Sequence, residues 1–280
     1  MTKQALKAKA DRLLELHAGS DVLVMANAWD VASTVMLAEL GFPAVATTSA
    51  GVAFARGYPD GEIIPRDEMI GEIERMAAAV DVPVTADLEA GYGETPEDVG
   101  KTISLALAAG AVGANIEDSY PDLKDKQYEM SDGVERIQAA RAAADVAEVE
   151  FVINARCDNF KPGRERTPAL IDDAVNRLNA YFDAGAKSLY TPWVGDVETI
   201  DILVRELNGP LNILAGPNTI PIPELKKLGV KRVTTGGGLY RSCLGYLERA
   251  AKELQGPGTY NYTDGAIAHG SLDTLLSGES

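Results

Sequence analysis

Apolar positions along the chain follow two alternating rhythms, and a glycine marks the switch between them. In AELGFPAVATT, LAAGAVGANIED, FDAGAKSLYTP and KLGVKRVTTGG, a helical segment ends at Gly41, Gly110, Gly185 or Gly229, and a short β-rich run begins two or three residues later. Glycine just past a helix end takes the left-handed conformation of a tight turn without a Cβ penalty, so each instance predicts a helix-to-strand reversal of similar geometry. With the remaining apolar runs, strands are expected near 22 to 26, 44 to 48, 83 to 87, 112 to 117, 150 to 156, 187 to 191, 211 to 215 and 231 to 235. The segments between them carry helical periodicity; in 168 to 184, Ile171, Ala174, Val175, Leu178 and Phe182 fall at three- and four-residue steps. Thr95 before Pro96 and Thr167 before Pro168 put a hydroxyl at the N-cap and proline at the first helical position, where its missing N–H costs nothing.

Runs such as DVLVMA and FVINA are nearly continuous in apolar residues, as expected of parallel strands buried on both faces. Repeated βα units with such strands leave an open doubly wound sheet or a closed barrel. Eight strands of similar length, no Gly-rich dinucleotide fingerprint after the first strand and no switch point favour closure. The expected fold is therefore a single-domain (β/α)8 TIM barrel over residues 1 to 254, led by an amphipathic helix in MTKQALKAKADRLLELHAGS. Residues 255 to 280 read as an irregular tail ending in a short helix.

Composition narrows the partners. Lys and Arg total 26 against 42 Asp and Glu, and the net charge of −16 repels nucleic acid and anionic membrane surfaces. No apolar stretch approaches the roughly 18 residues of a membrane span. The two cysteines, Cys157 and Cys243, form no disulfide framework or zinc motif, which fits a reducing cytoplasm.

In such a barrel the reactive groups sit at the carboxyl ends of the strands, and here those ends are acidic. TADLEAGYG places Asp87 and Glu89 two residues apart, on one face if the strand continues; NIEDS adds Glu117 and Asp118; GYPDGE adds Asp60. Converging carboxylates repel one another unless a cation or shared protons intervene, and hard oxygen donors point to Mg²⁺ or Mn²⁺. Arg156 in INARCDNF occupies the same rim, either to meet a substrate carboxylate or to pair with the acidic cluster. Asp118 and Glu94 also read as helix-start acids. TTGGGLYRS after the last strand suits either a tight turn or a phosphate site. Trp29 and Trp193 are candidate pocket walls, His17 and His269 are poorly placed as bases, and Cys157 reads as a small buried side chain.

At these residues, from about Asn27 to Arg241, the chain resembles the isocitrate lyase and phosphoenolpyruvate mutase superfamily: NAWDVAS, TTSAG, GYPDGE, DLEAGYG, NIEDS and NARCD occur in the family order. The resemblance implies that Asp87 holds Mg²⁺ while Asp60, Glu89 and Glu117 complete its water shell. It also implies that Ser49, the Ala50 and Gly51 backbone and Arg156 bind a substrate carboxylate. A homotetramer with exchanged C-terminal helices is implied as well.

The departures are Cys157, which stands where threonine is common, and one loop. Lyase members carry Lys-Lys or Lys-Arg followed by Cys-Gly-His after the strand-four glutamate, whereas this chain has SYPDLKDKQYEM, without cysteine or histidine. Phosphonate-forming mutases place a lysine and an asparagine there; Lys124 and Lys126 are present, but no asparagine is in register. The expected activity is metal-dependent cleavage of a carbon–carbon bond in a 2-oxo acid or 2-hydroxy di- or tricarboxylate, through a pyruvate-type enolate. Asp60 or Glu89 is the candidate proton carrier and Lys124 a candidate loop residue. The alternatives are a phosphonate-bond enzyme and a non-catalytic dicarboxylate binder. A Schiff-base aldolase is disfavoured because Lys187 and Lys231 stand at strand starts.

Overall fold

The computed structural model describes residues 1–121 and 126–278. Helix α1 (Lys3–Ala18) is followed by a strand in two pieces, β1 (Leu23–Met25) and β2 (Asn27–Ala28). Next come α2 (Val31–Glu39), β3 (Val45–Thr47), α3 (Ser49–Ala55), α4 (Arg66–Ala78), β4 (Val84–Asp87), α5 (Pro96–Ala108) and β5 (Gly113–Glu117). The second half comprises α6 (Met130–Ala147), β6 (Val152–Arg156), α7 (Pro168–Asp183), β7 (Ser188–Tyr190), α8 (Val197–Glu206), β8 (Leu211–Leu214), α9 (Ile222–Leu228), β9 (Arg232–Thr234) and α10 (Gly238–Gln255). A 3-10 turn (Asn261–Thr263) and α11 (His269–Ser277), which packs on α2, complete the chain.

The strands form one parallel sheet in the order β1-β9-β8-β7-β6-β5-β4-β3-β2. Because Ala26 alone separates β1 from β2, that order closes on itself into an eight-stranded barrel whose first strand is divided. Each expected strand is present, trimmed by a residue or two. The turn glycines behave as their position requires: φ is 87° at Gly41, 97° at Gly110, 111° at Gly185 and 97° at Gly229. Both threonine caps form, Thr95 accepting from the Asp98 N–H and Thr167 from that of Leu170.

Period-two alternation sorts the strand residues into two shells. Outward residues such as Ile116, Ile153 and Ile213 are buried beneath the helices. The strands are buried on both faces as expected, and the inward shell mixes apolar residues such as Met25 and Val152 with polar ones that interrupt the apolar runs. Asn154 donates to Asn115 Oδ1 at 2.7 Å, Asn212 to Thr234 Oγ1 at 3.3 Å, and Asn27 to the Thr47 carbonyl at 2.7 Å. Buried polar groups cost little when paired in this way.

The amino end of the barrel is closed by α1. A side chain at Gly113 would sit 3.2 Å from Leu13 Cδ2 and 2.9 Å from the Val152 carbonyl, so glycine lets the helix approach. Here the polar shell is less complete: Arg232 is fully buried, and its Nε and Nη1 have no protein partner. Burial pulls its pKa down to about 9, against the opposing pull of Tyr190 and Asp87. His17 lies nearby on α1, its Nδ1 2.8 Å from the Leu13 carbonyl. Burial, and then the Arg232 charge, depress His17 to about 4.

Folded His17 therefore stays neutral where the unfolded chain takes up a proton, and stability is lost as pH falls from 6.5 toward 4. Chemical denaturation of wild type and His17→Leu at pH 7 and pH 4 should show wild type losing about 3 kcal/mol relative to the variant. An unchanged difference would mean that the imidazole is protonated in the fold.

Candidate active site

Asp87 is the last residue of β4, fixed through its backbone N–H, which donates to Thr47 Oγ1 at 2.9 Å. Its Oδ2 accepts from the Ser49 N–H at 3.1 Å and the Ser49 hydroxyl at 2.9 Å. Its Oδ1 accepts from Asn115 Nδ2 at 3.3 Å, the end of an amide relay that starts at Asn154. The carboxylate is thus oriented from both sides by adjacent strands.

Glu89 reaches the same mouth by a different route from the expected one. The strand stops at Asp87, and Glu89 lies in a turn with φ 51°, so the left-handed turn directs it inward in place of strand alternation. Its Oε2 accepts from the Glu62 N–H at 2.9 Å, while Oε1 is buried without a protein partner. Burial, then Asp60 and Asp87, push Glu89 up to about 8. Asp60, exposed on the rim, is raised by partial desolvation and by Asp87, against the Arg156 charge and hydrogen bonds from the Gly61 N–H and Ser49.

Glu117 ends β5 opposite Arg156 on β6, and Arg156 Nη1 lies 2.5 Å from Glu117 Oε2. Burial and the carboxylates of Asp158, Glu89 and Asp87 drive Glu117 upward while Arg156 opposes them. Asp158 grips the other edge of the guanidinium, 2.6 Å from Nε and 3.0 Å from Nη2. The ring of Trp193 lies 5.4 Å from the same guanidinium. Arg156 therefore pairs with the acidic cluster and still faces the mouth, its side chain 17% exposed.

Asp60, Asp87, Glu89, Glu117, Ser49 and Arg156 are thus brought together. Lys124 lies outside the described residues. Asp118 serves the architecture, accepting from Gln127, Tyr181 and the Asp158 N–H. Cys157 is buried, as expected. Sequence reading missed Glu62, Tyr92 and the Asn115–Asn154 relay. Asn115 and Asn154 stand two residues before Glu117 and Arg156, so alternation would have found them. Tyr92 places an unpartnered buried hydroxyl near the carboxylates, and burial followed by Glu89 raises it.

Backbone strain concentrates here. Five described non-glycine residues are left-handed, and Glu62, Glu89, Tyr92 and Trp193 stand at this mouth; the fifth, Glu148, ends α6. Such conformations cost about 1–3 kcal/mol each and persist where the surroundings hold them. The loop after β5 folds back through a Ser119–Gln127 bridge and meets the Asp60 loop, where a Cβ on Gly61 would be 3.7 Å from the Pro121 carbonyl. Among the described residues no three acidic, histidine or cysteine side chains are placed to hold one ion directly. A magnesium-type ion, which keeps several waters and takes one or two carboxylates, does not require such a group.

A sequence profile described as phosphoenolpyruvate phosphomutase matches residues 13–255. An uncharacterized protein of Mycobacterium tuberculosis H37Rv is 31% identical over 245 residues, covering 86% of this chain and 87% of that protein. Oxaloacetate decarboxylase 2 of Pseudomonas fluorescens Pf0-1 is 27% identical over 271 residues, 94% of this chain and 87% of its own. A crystal structure from Burkholderia cenocepacia J2315, provisionally described as a lyase/mutase, superposes with a TM-score of 0.92 at 39% identity over 98% of each chain.

Because folded Glu89 keeps its proton where the unfolded chain has lost it, stability falls as pH rises from 4.5 to about 8. In EDTA, denaturation of wild type against Glu89→Gln between pH 5 and pH 8 should show wild type losing on the order of 3 kcal/mol relative to the variant. Parallel curves would place Glu89 in water.

Proposed function

The chain belongs to the phosphoenolpyruvate phosphomutase family, and from that premise we propose that it is a divalent-metal-dependent decarboxylase or lyase. It cleaves a carbon–carbon bond of a 2-oxo dicarboxylate through a pyruvate-type enolate. The carrying observation is the orphaned Glu89 Oε1, buried beside Asp60 and Asp87 and across the mouth from the clamped Arg156. An unpaired, repelling set of hard oxygen donors suits Mg²⁺ or Mn²⁺, with Asp87 holding the ion and Asp60, Glu89 and Glu117 ordering its waters. When bound, the cation supplies positive charge where negative charge develops on the enolate oxygen.

The chain's own groups do the rest. Arg156 has Nη hydrogens left over from Asp158 and Glu117 to hold a substrate carboxylate. The first turn of α3, with Ser49 and the backbone of Ala50 and Gly51, takes the other end. Gly51 must be small there, because a Cβ would lie 2.6 Å from Thr48 Cγ2 and 3.0 Å from Trp29 Cβ. Glu89 and Asp60, both held above the usual carboxylate range, store and return the proton.

Decarboxylation is favoured over aldol-type cleavage on chemical grounds. Splitting a 2-hydroxy tricarboxylate needs a base for the hydroxyl proton and an acid for the departing carbanion. Residues 119 to 130 contain neither cysteine nor histidine for that work. Carbon dioxide leaves without a proton, so only the enolate carbon must be protonated. The relation to a Pseudomonas oxaloacetate decarboxylase supports this choice.

The surface of α10 fits the proposed homotetramer: Leu244, Leu247 and Leu254 are exposed on a helix that buries only Ala250.

Oxaloacetate, phosphonopyruvate and methylisocitrate, each with Mg²⁺ and with EDTA, should give metal-dependent pyruvate from oxaloacetate alone. Asp87→Asn should lower turnover by about 100-fold or more and abolish the thermal stabilisation by Mg²⁺. Pyruvate from phosphonopyruvate would move the reading to the phosphonate enzymes, and stabilisation without turnover of any compound would make the protein a binder. Arg156→Lys should raise KM for oxaloacetate roughly 10- to 100-fold, as loss of a charge-assisted hydrogen bond predicts; an unchanged KM would remove Arg156 from substrate binding.

A further inference from the structure

Residues 88 to 95, between the end of β4 and the start of α5, run in turns and bends outside helix and sheet, and Glu89 stands among them. Glu89, Gly91 and Tyr92 are all left-handed, with φ of 51°, 103° and 57°. At residues other than glycine such a backbone persists only where the surroundings impose it. A segment outside helix and sheet must also find partners for its peptide groups elsewhere.

Two charged side chains from other elements supply most of those partners. Glu62 takes the N–H groups: its Oε1 accepts from the Tyr92 N–H at 2.9 Å, and those of Ala90 and Gly91 face the same carboxylate. Arg136, on α6, takes the carbonyls. Its Nη2 donates to Ala90 at 2.5 Å and to Gly93 at 3.0 Å, and its Nη1 to Glu94 at 3.1 Å. Arg136 is buried, and its guanidinium lies 4.4 Å from the centre of the Tyr128 ring. Hydrogen bonds with a charged partner are the strong ones, so the turn is caught between an anion on its N–H groups and a cation on its carbonyls. The Thr102 hydroxyl holds the Gly91 carbonyl at 2.7 Å as well.

Packing leaves the turn little room to relax. A Cβ on Gly91 would lie 2.9 Å from Val99 Cγ2, and one on Gly93 would lie 2.2 Å from Asp98 Cβ. The grip also reaches the Glu89 carboxylate itself, because the Glu62 N–H donates to Glu89 Oε2 at 2.9 Å. Glu62 therefore meets the turn twice, its main chain on the Glu89 side chain and its side chain on the Tyr92 main chain.

We propose that Glu62 and Arg136 are positioning residues for the metal site, clamping the 89–94 turn so that Glu89 presents its carboxylate to the waters of an ion held by Asp87. The proposal rests on the metal reading given above.

The test is calorimetric titration of Mg²⁺ into the full chain, with the thermal midpoint in EDTA as a control for folding. Removing residues that orient the groups around a metal lowers its affinity about 10- to 100-fold. Glu62→Ala and Arg136→Met should each weaken Mg²⁺ binding by that factor. Glu62→Gln, which keeps an acceptor for the Tyr92 N–H, and Arg136→Lys should each lose less. In a Glu89→Ala background, Glu62→Ala should weaken Mg²⁺ binding further by less than about twofold, because an effect carried through Glu89 does not add to its removal. Wild-type affinity in Glu62→Ala would overturn the proposal, and so would a loss that persists undiminished without Glu89, since the pair would then only brace the fold. If Arg136→Met does not fold, the Glu62 and Glu89 variants decide alone. Failure of wild type to bind Mg²⁺ would instead sink the metal reading, and the proposal with it.

Discussion

Crowding of negative charge at one end of the barrel is the constraint to which the rest of the site answers. Two unit charges about 4 Å apart cost roughly 4 kcal/mol near a protein surface, and Asp60, Asp87, Glu89, Glu117 and Asp158 act on one another there. The fold meets that cost in three ways. Arg156 is locked between Asp158 and Glu117, Asp87 is wrapped by donors from Ser49 and Asn115, and Glu89 retains its proton. All three answers fix the geometry as well as the charge, so the same contacts that make the cluster tolerable also aim it.

The polar inner shell of the barrel follows from this. Asn115 orients Asp87 and needs Asn154 behind it; Asn27 holds the turn into α10 by accepting from the Thr235 and Gly236 N–H groups. A packed aliphatic interior would give more stability per residue but could not transmit orientation from strand to strand. At the opposite end, Arg232 and His17 are buried with unpartnered nitrogens, and there the polar shell costs stability without an evident structural return. Unpartnered atoms thus stand at both ends of the barrel, Glu89 Oε1 and the Tyr92 hydroxyl at the mouth and Arg232 and His17 beneath it, and only at the mouth do they face the carboxylate cluster.

Much of the architecture was legible because its signals are local. Gly41, Gly110, Gly185 and Gly229 announce their turns through their own backbone freedom, and Thr95 and Thr167 cap the helices that follow them. The acidic strand ends were legible for the same reason. What escaped depended on contacts made at a distance or on turns no pattern encodes. Glu89 points inward because its turn is left-handed, Glu62 enters through a neighbouring loop, and Asp118 looks like a helix-start acid until the Ser119–Gln127 bridge brings Gln127 onto it and α7 supplies the Tyr181 hydroxyl. The two roles open to Arg156 could not be separated by sequence, because pairing with the cluster and facing a substrate are compatible in three dimensions.

An anionic substrate approaching a protein of net charge −16 and a mouth lined with carboxylates is repelled before it can bind. A cation among the carboxylates offsets the local part of that repulsion, but only for the end of the molecule that reaches it. Arg156, clamped by Asp158 and Glu117 and 17% exposed, is the positive charge that faces the other end. Binding energy gathered there can be spent on seating the molecule against the first turn of α3, because a contact that forms only when the substrate is correctly seated favours the transition state as well as the complex. In a loop that supplies neither cysteine nor histidine, orientation gained from a distance takes on part of what a strong acid would otherwise provide.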